Sequence, residues 1–214
     1  MFSTFGITAI NETAAFMGYD IVSEEGTEFT IDALQHIKNN VKRYRMEDNV
    51  VYNIEEIPGE QTCVSLLKKD RICEIVVGNE GLHLYSNQYI PLIKDADVLT
   101  RIDLSGRFMK MVSGGGIAHL NLDSRLDSTG KAYELLKLSA KSGINHLALC
   151  HRFGQCEDGH TNVIGQAREC PECGKPIVEA VNRVIGYYSK ESCWHPVRQE
   201  HDAEIRHFSD VDTL

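Results

Sequence analysis

No apolar run in this 214-residue chain approaches the ~20 residues that span a bilayer, which leaves no candidate membrane helix. A basic excess is missing as well: 22 Lys and Arg stand against 31 Asp and Glu, a net charge of −9. A general nucleic-acid binder needs a positive footprint to displace phosphate counterions, so that class is excluded. Met1-Phe2-Ser3-Thr4-Phe5-Gly6 has neither the charged start nor the long apolar stretch of a secretion signal. The expected location is the cytoplasm. There is no internal repeat and no low-complexity tract. Seven Cys, an odd count with no such signal ahead of them, do not make a disulfide framework. A polar lead-in is absent too. Phe2, Phe5, Ile7 and Ile10 are apolar from the start, where a terminus is usually solvated. The chain is therefore expected to be a piece of something larger.

What is present fits one medium domain, or a domain with a small appendage. Composition is that of a globular protein, 42% hydrophobic and 25% charged. Residues 9–18 are expected to form a short helix closed by Gly18. Ile31, Leu34, Ile37, Val41 and Tyr44 form a helical stripe that Thr30 can cap. Val50–Ile54 reads as a strand running into a loop at Pro58-Gly59-Glu60. Ile72–Val77, Gly81–Tyr85, Val98–Leu104, Ile117–Leu122 and Asn145–Leu149 are further expected strands. A helix is expected from about Ser128 to Lys141, ended by Gly143. Strands alternating with helices point to an α/β sheet.

Four Cys crowd into residues 150–173. Cys170-Pro171-Glu172-Cys173-Gly174 has knuckle spacing: both thiolates can face one ion, and Gly174 permits the turn that follows. Cys156 and His160 stand four apart across a Gly turn and complete a Cys3His zinc ribbon, with Cys150 as the alternative to His160. Four protein ligands leave no open position, so such a zinc is structural, and its binding energy folds a segment too small for its own core.

Beyond the knuckle stands Arg183-Val184-Ile185-Gly186-Tyr187, a Gly set among apolar and aromatic neighbours. Upstream lie Gly114-Gly115-Gly116-Ile117-Ala118-His119, Tyr52-Asn53-Ile54-Glu55 running to Pro58-Gly59-Glu60, and Tyr85-Ser86-Asn87 with Pro91. Together with the Cys-rich segment, and in the same order along the chain, these resemble the C-terminal third of anaerobic (class III) ribonucleoside-triphosphate reductases. The resemblance implies the C-terminal half of a glycyl-radical-enzyme β/α barrel over residues 1–149, a zinc ribbon over 150–176, and a glycyl-radical loop and tail over 177–214. It also implies that Gly186 stores the radical, installed by a radical-SAM activase that supplies S-adenosylmethionine and an iron–sulfur cluster. The radical would pass to a Cys on a facing loop, whose thiyl takes the 3′-hydrogen of a ribonucleoside triphosphate. Glu60 and Glu55 are the expected catalytic carboxylates, candidates to handle the proton that leaves with the 2′-hydroxyl.

None of the seven Cys matches the thiyl-forming residue, and Ile185 stands where relatives often carry Cys. The chain is thus expected to be inactive without an N-terminal reductase part carrying that Cys, the complete enzyme being a homodimer. Asn87, His119 and Cys193 are weighed as structural residues. Two other readings stand beside this one: a spare-part protein that replaces a damaged radical segment, and a non-catalytic zinc-ribbon adaptor.

Overall fold

The computed structural model describes residues 2–75 and 81–210. Strand β1 (Phe2–Ile7) opens the chain, followed by helix α1 (Ile10–Phe16) and the long helix α2 (Glu24–Asp48). Strand β2 (Val51–Glu56) then returns beside β1, parallel to it, with Phe2 opposite Val51 and Ile7 opposite Glu56. Helices α3 (Thr62–Ile72) and α4 (Val98–Met109) precede strand β3 (Ala118–Leu122). Helix α5 (Thr129–Ser142) carries the chain to strand β4 (Leu147–His151), again parallel to its partner, β3. Parallel pairing requires such helical crossovers, because a tight turn can only join antiparallel strands. The alternation expected from the sequence is therefore present.

One core lies between these strands and helices α2, α4 and α5. Ile102, Phe108, Leu120 and Leu122 are each at most 1% exposed within it. Side chains of this kind contribute about 1.5–3 kcal/mol apiece when fully buried.

Several expected elements differ. Val98–Leu104 is not a strand but the start of α4, whose first turn is capped by Asp97 accepting from the Thr100 N–H at 2.8 Å. Its apolar residues pack as a helical face: Val98, Ile102 and Met109 are all buried. The expected strand at Ile72–Val77 is also absent where it can be seen. Ile72 ends α3, and Glu74 turns the chain at φ 54°; the rest of that strand lies outside the described residues. Gly81–Tyr85 is irregular, tied to α3 by the Tyr85 N–H donating to the Cys63 carbonyl. Thr30 does not cap α2. Ser23 does, accepting from the Gly26 N–H, and Thr30 is buried inside the helix. The helix at Thr129–Ser142 is as expected, ended by Gly143 at φ 105°.

The last part of the chain is a separate antiparallel sheet of order β6-β5-β7-β8: β5 (Phe153–Cys156), β6 (Thr161–Val163), β7 (Ile177–Arg183) and β8 (Tyr188–Lys190). The turn between β7 and β8 carries Gly186. Helix α6 (Pro196–His201) follows, and its Arg198 Nε donates to the Glu60 carbonyl. Among the described residues, no helix is long and apolar enough to cross a membrane.

Candidate metal centre and glycine loop

The ribbon is built around its cysteines. Cys156 ends β5, His160 sits in the turn to β6, and Cys170 and Cys173 lie on the turn before β7. One ligand atom from each comes together, all within 4.8 Å of one another. Cys156 Sγ lies 3.7 Å from Cys173 Sγ, and Cys170 Sγ lies 3.8 Å from His160 Nδ1. A tetrahedron with Zn–S bonds of ~2.3 Å has an S–S edge of about 3.8 Å, so the residues fit that ion. Burial works against the Cys170 thiolate, yet the N–H groups of Glu172 and Cys173 favour it and hold the thiol down to about 7. Cys150 is not part of the cluster. It is fully buried in β4, and burial pushes its thiol up to about 11.

Gly186 stands at the tip of the β7–β8 turn, which is closed by the Val184 N–H donating to the Tyr187 carbonyl at 2.9 Å. It is exposed on this chain, whereas Ile185 is 1% exposed and lines a cavity of about 870 Å³. The Gly186 N–H donates to Glu60 Oε1 at 2.9 Å. Gly186 lies outside the left-handed φ region, unlike Gly18, Gly115, Gly143, Gly159, Gly165 and Gly174. A Cβ built on it would meet only Glu60 Oε1 at 3.3 Å and Pro58 Cβ at 4.0 Å. Backbone conformation does not demand a glycine here, and the one tight contact is the movable end of the Glu60 side chain.

Charged residues that the sequence reading did not single out surround the loop. Arg206, 0% exposed, donates to the carbonyls of Arg183 and Val184 at 2.5 and 2.7 Å. Asp202 pairs with Arg206 at 2.7 Å and with Arg198 at 2.6 Å. Burial would raise the Asp202 carboxyl, but the two guanidinium groups hold it below the usual carboxylate range. The four-residue steps from Arg198 to Asp202 to Arg206 were the available signal. His119 is 3% exposed, with Nε2 lying 2.7 Å from the Ile185 carbonyl. Burial holds its imidazole down to about 4, so the ring is neutral near pH 7.

Glu60 is thus beside the glycine. Glu55 lies one strand position from a different buried acid. It bridges to Gly115, while Glu56 is buried and accepts from the N–H groups of Tyr89 and Ile117. Residues 114–116 run hard against β2. A Cβ on Gly114 would lie 2.6 Å from Asn53 Nδ2, and one on Gly116 would lie 2.6 Å from Glu56 Oε2. Close backbone approach within the protein accounts for these glycines. Glu56 was missed, although strand alternation with buried Ile54 places it inward.

Parallel βαβ units joined to a Cys3His ribbon that presents a braced glycine define a mixed α/β protein with a metal-ligand cluster beside its C-terminal loop. The family model for anaerobic ribonucleoside-triphosphate reductase matches residues 1–207, and the chain belongs to that family. Solved structures agree. One anaerobic ribonucleotide reductase is 33% identical with a TM-score of 0.80, over 97% of this chain and 34% of that one. The Thermotoga maritima enzyme with glycerol in its active site is 34% identical with a TM-score of 0.74, over 92% of this chain and 33% of that one. The same enzyme in complex with dATP and CTP is 33% identical with a TM-score of 0.72, over 94% of this chain and 33% of that one. The chain therefore spans about a third of the length of the structures it matches. A search of curated proteins returns no match.

Proposed function

We propose that this chain is the C-terminal, radical-bearing part of an anaerobic ribonucleoside-triphosphate reductase, with Gly186 as the stored radical. The observation that carries the reading is a glycine that no left-handed φ and no rigid neighbour requires, at the tip of a braced turn in a member of this family. A hydrogen atom can be removed from its α-carbon without a side chain blocking approach, and the peptide groups on both sides delocalise the electron left behind. In this reading residues 1–149 supply half of a β/α barrel, 150–176 the zinc ribbon, and 177–214 the radical loop and tail.

Cys156, His160, Cys170 and Cys173 would hold the zinc, which supplies folding energy to the ribbon and no open position for chemistry. The ribbon's β7 then delivers Gly186 at a fixed place. The Gly186 radical would take a hydrogen atom from the thiol of a Cys in the N-terminal reductase part, leaving a thiyl. The thiyl would take the 3′-hydrogen of a ribonucleoside triphosphate, and the 2′-hydroxyl would leave with a proton from the site. Glu60 and Glu55 are the carboxylates available to handle it. An activase of the radical-SAM type installs the radical, and the complete enzyme works as a homodimer.

Electron paramagnetic resonance after anaerobic activation, in the presence of the remaining reductase part, tests the reading. The expected signal is a doublet from coupling to the single α-hydrogen left on Gly186, with cleavage at Gly186 once air is admitted. Gly186→Ala should lose both. Its folded stability should stay within about 1 kcal/mol of the parent, since the added methyl is tolerated and the unfolded chain loses entropy. A doublet that persists in Gly186→Ala would place the radical elsewhere and end the proposal.

A further inference from the structure

The peptide unit joining Ile185 to Gly186 is held on both edges. Its N–H donates to Glu60 Oε1 at 2.9 Å. Its carbonyl accepts from Arg183 Nε at 2.8 Å and lies 2.7 Å from His119 Nε2. Opposed anchors on one peptide plane resist its rotation about either flanking bond. The neutral His119 ring has one proton. Its Nε2 faces the Ile185 carbonyl and its Nδ1 faces Gln88 Oε1, each at 2.7 Å, so that proton is donated to one of these two oxygens at a time.

The anchors are themselves anchored. The Glu60 carbonyl accepts from Arg198 Nε at 2.8 Å. Arg198 pairs with Asp202, Asp202 with Arg206, and Arg206 returns to the Arg183 and Val184 carbonyls. The ring of contacts leaves the turn at Gly186 and re-enters it two residues earlier, at Val184.

An unpaired electron on an α-carbon spreads into its neighbours only while that carbon and the adjoining peptide groups share a plane. We propose that Glu60 and His119 are positioning residues for Gly186, fixing the plane of the Ile185–Gly186 peptide so that its nitrogen overlaps a radical on the Gly186 α-carbon. This rests on the radical reading above, and it gives Glu60 a task at the glycine beyond any substrate proton. Arg183 shares the carbonyl with His119, so the carboxylate is the only anchor on the N–H edge among the described residues.

The test compares the activated enzyme as parent, Glu60→Ala, Glu60→Gln and His119→Asn, by line shape, spin yield and decay under argon. The Gln carbonyl can still accept the Gly186 N–H, so Glu60→Gln keeps the parent doublet and lifetime. Glu60→Ala changes the hyperfine splitting and loses its radical about tenfold faster, the scale of one charge-assisted hydrogen bond. His119→Asn moves the same readouts in the same direction. Because His119 is buried, its variant is scored only if its unfolding midpoint matches the parent, and Glu60→Ala decides the question otherwise. Amide exchange at Gly186 in the unactivated protein is the independent arm, expected to quicken about tenfold in Glu60→Ala. A parent-like doublet and decay in Glu60→Ala overturns the positioning role while leaving the radical reading intact. Unchanged amide exchange overturns the clamp itself. A silent parent overturns the radical reading, and the positioning role falls with it.

Discussion

Replacing Glu56 with Gln should change how stability depends on pH. Glu56 is 7% exposed, with Oε1 accepting from the Tyr89 N–H at 2.7 Å and Oε2 from the Ile117 N–H at 3.1 Å. Burial raises its carboxyl from an ordinary 4.5 to about 8, and the two N–H groups only partly oppose that. Between those values the folded protein keeps a proton that the unfolded chain has released. The stability this group contributes is therefore fully present below about 4.5 and is lost as pH rises toward about 8. The slope in that window is about 1.4 kcal/mol per pH unit, which sets a ceiling near ~5 kcal/mol. Relaxation around a buried charge takes back part of it, leaving an expected loss of about 2–4 kcal/mol. Glu56→Gln has no proton to release, so this component vanishes. Its amide also turns an N–H₂ toward a backbone N–H, costing about 1–3 kcal/mol at low pH. Urea unfolding of both proteins from pH 5 to pH 8 should then give curves that converge or cross, with other carboxylates cancelling in the difference. Curves that stay parallel across that range would refute the burial argument.

With zinc loaded on the Cys3His cluster, removing the ion should act on the ribbon first. A chelator, or Cys173→Ala, should melt the sheet of β5 to β8 and release the Gly186 turn, while α2, α4 and α5 keep their helical signal; amide exchange mapped by segment checks this. Arg206→Met should cost about 3–5 kcal/mol in denaturant unfolding, because it leaves the buried Asp202 carboxylate with Arg198 alone and takes the Arg206 donors from the Arg183 and Val184 carbonyls. An unfolding free energy within 1 kcal/mol of the parent would mean that the ring of charges bears little on stability, on the scale of about 1 kcal/mol that separates surface pairs from buried ones.

The ribbon was legible in the sequence because ligand spacing is local: Cys156, His160, Cys170 and Cys173 all fall within one short segment. The choice of His160 over Cys150 was not, since it turns on which side of β4 and β5 each residue faces. Helix α5 was legible from its leucines and its Gly143 stop. Helix α4 was mistaken for a strand because Val98, Ile102 and Leu104 are apolar and partly β-branched, while the Asp97 cap that marks a helix start was overlooked. Helix α3 was missed altogether. Its mixed Lys and Cys content shows no apolar stripe strong enough to stand out. The partners of Glu60 and His119 lie 126 and 66 residues away in sequence, and only the folded chain brings them together.

The ring that steadies the glycine turn has a temporal side. Arg198, Asp202 and Arg206 are synthesised after Gly186, so the contacts they make around the turn can form only after those residues have been added. The full ring closes only once Arg206 has folded back onto the Arg183 and Val184 carbonyls. Any enzyme that must recognise the braced turn therefore acts only after Arg206 has folded back onto it.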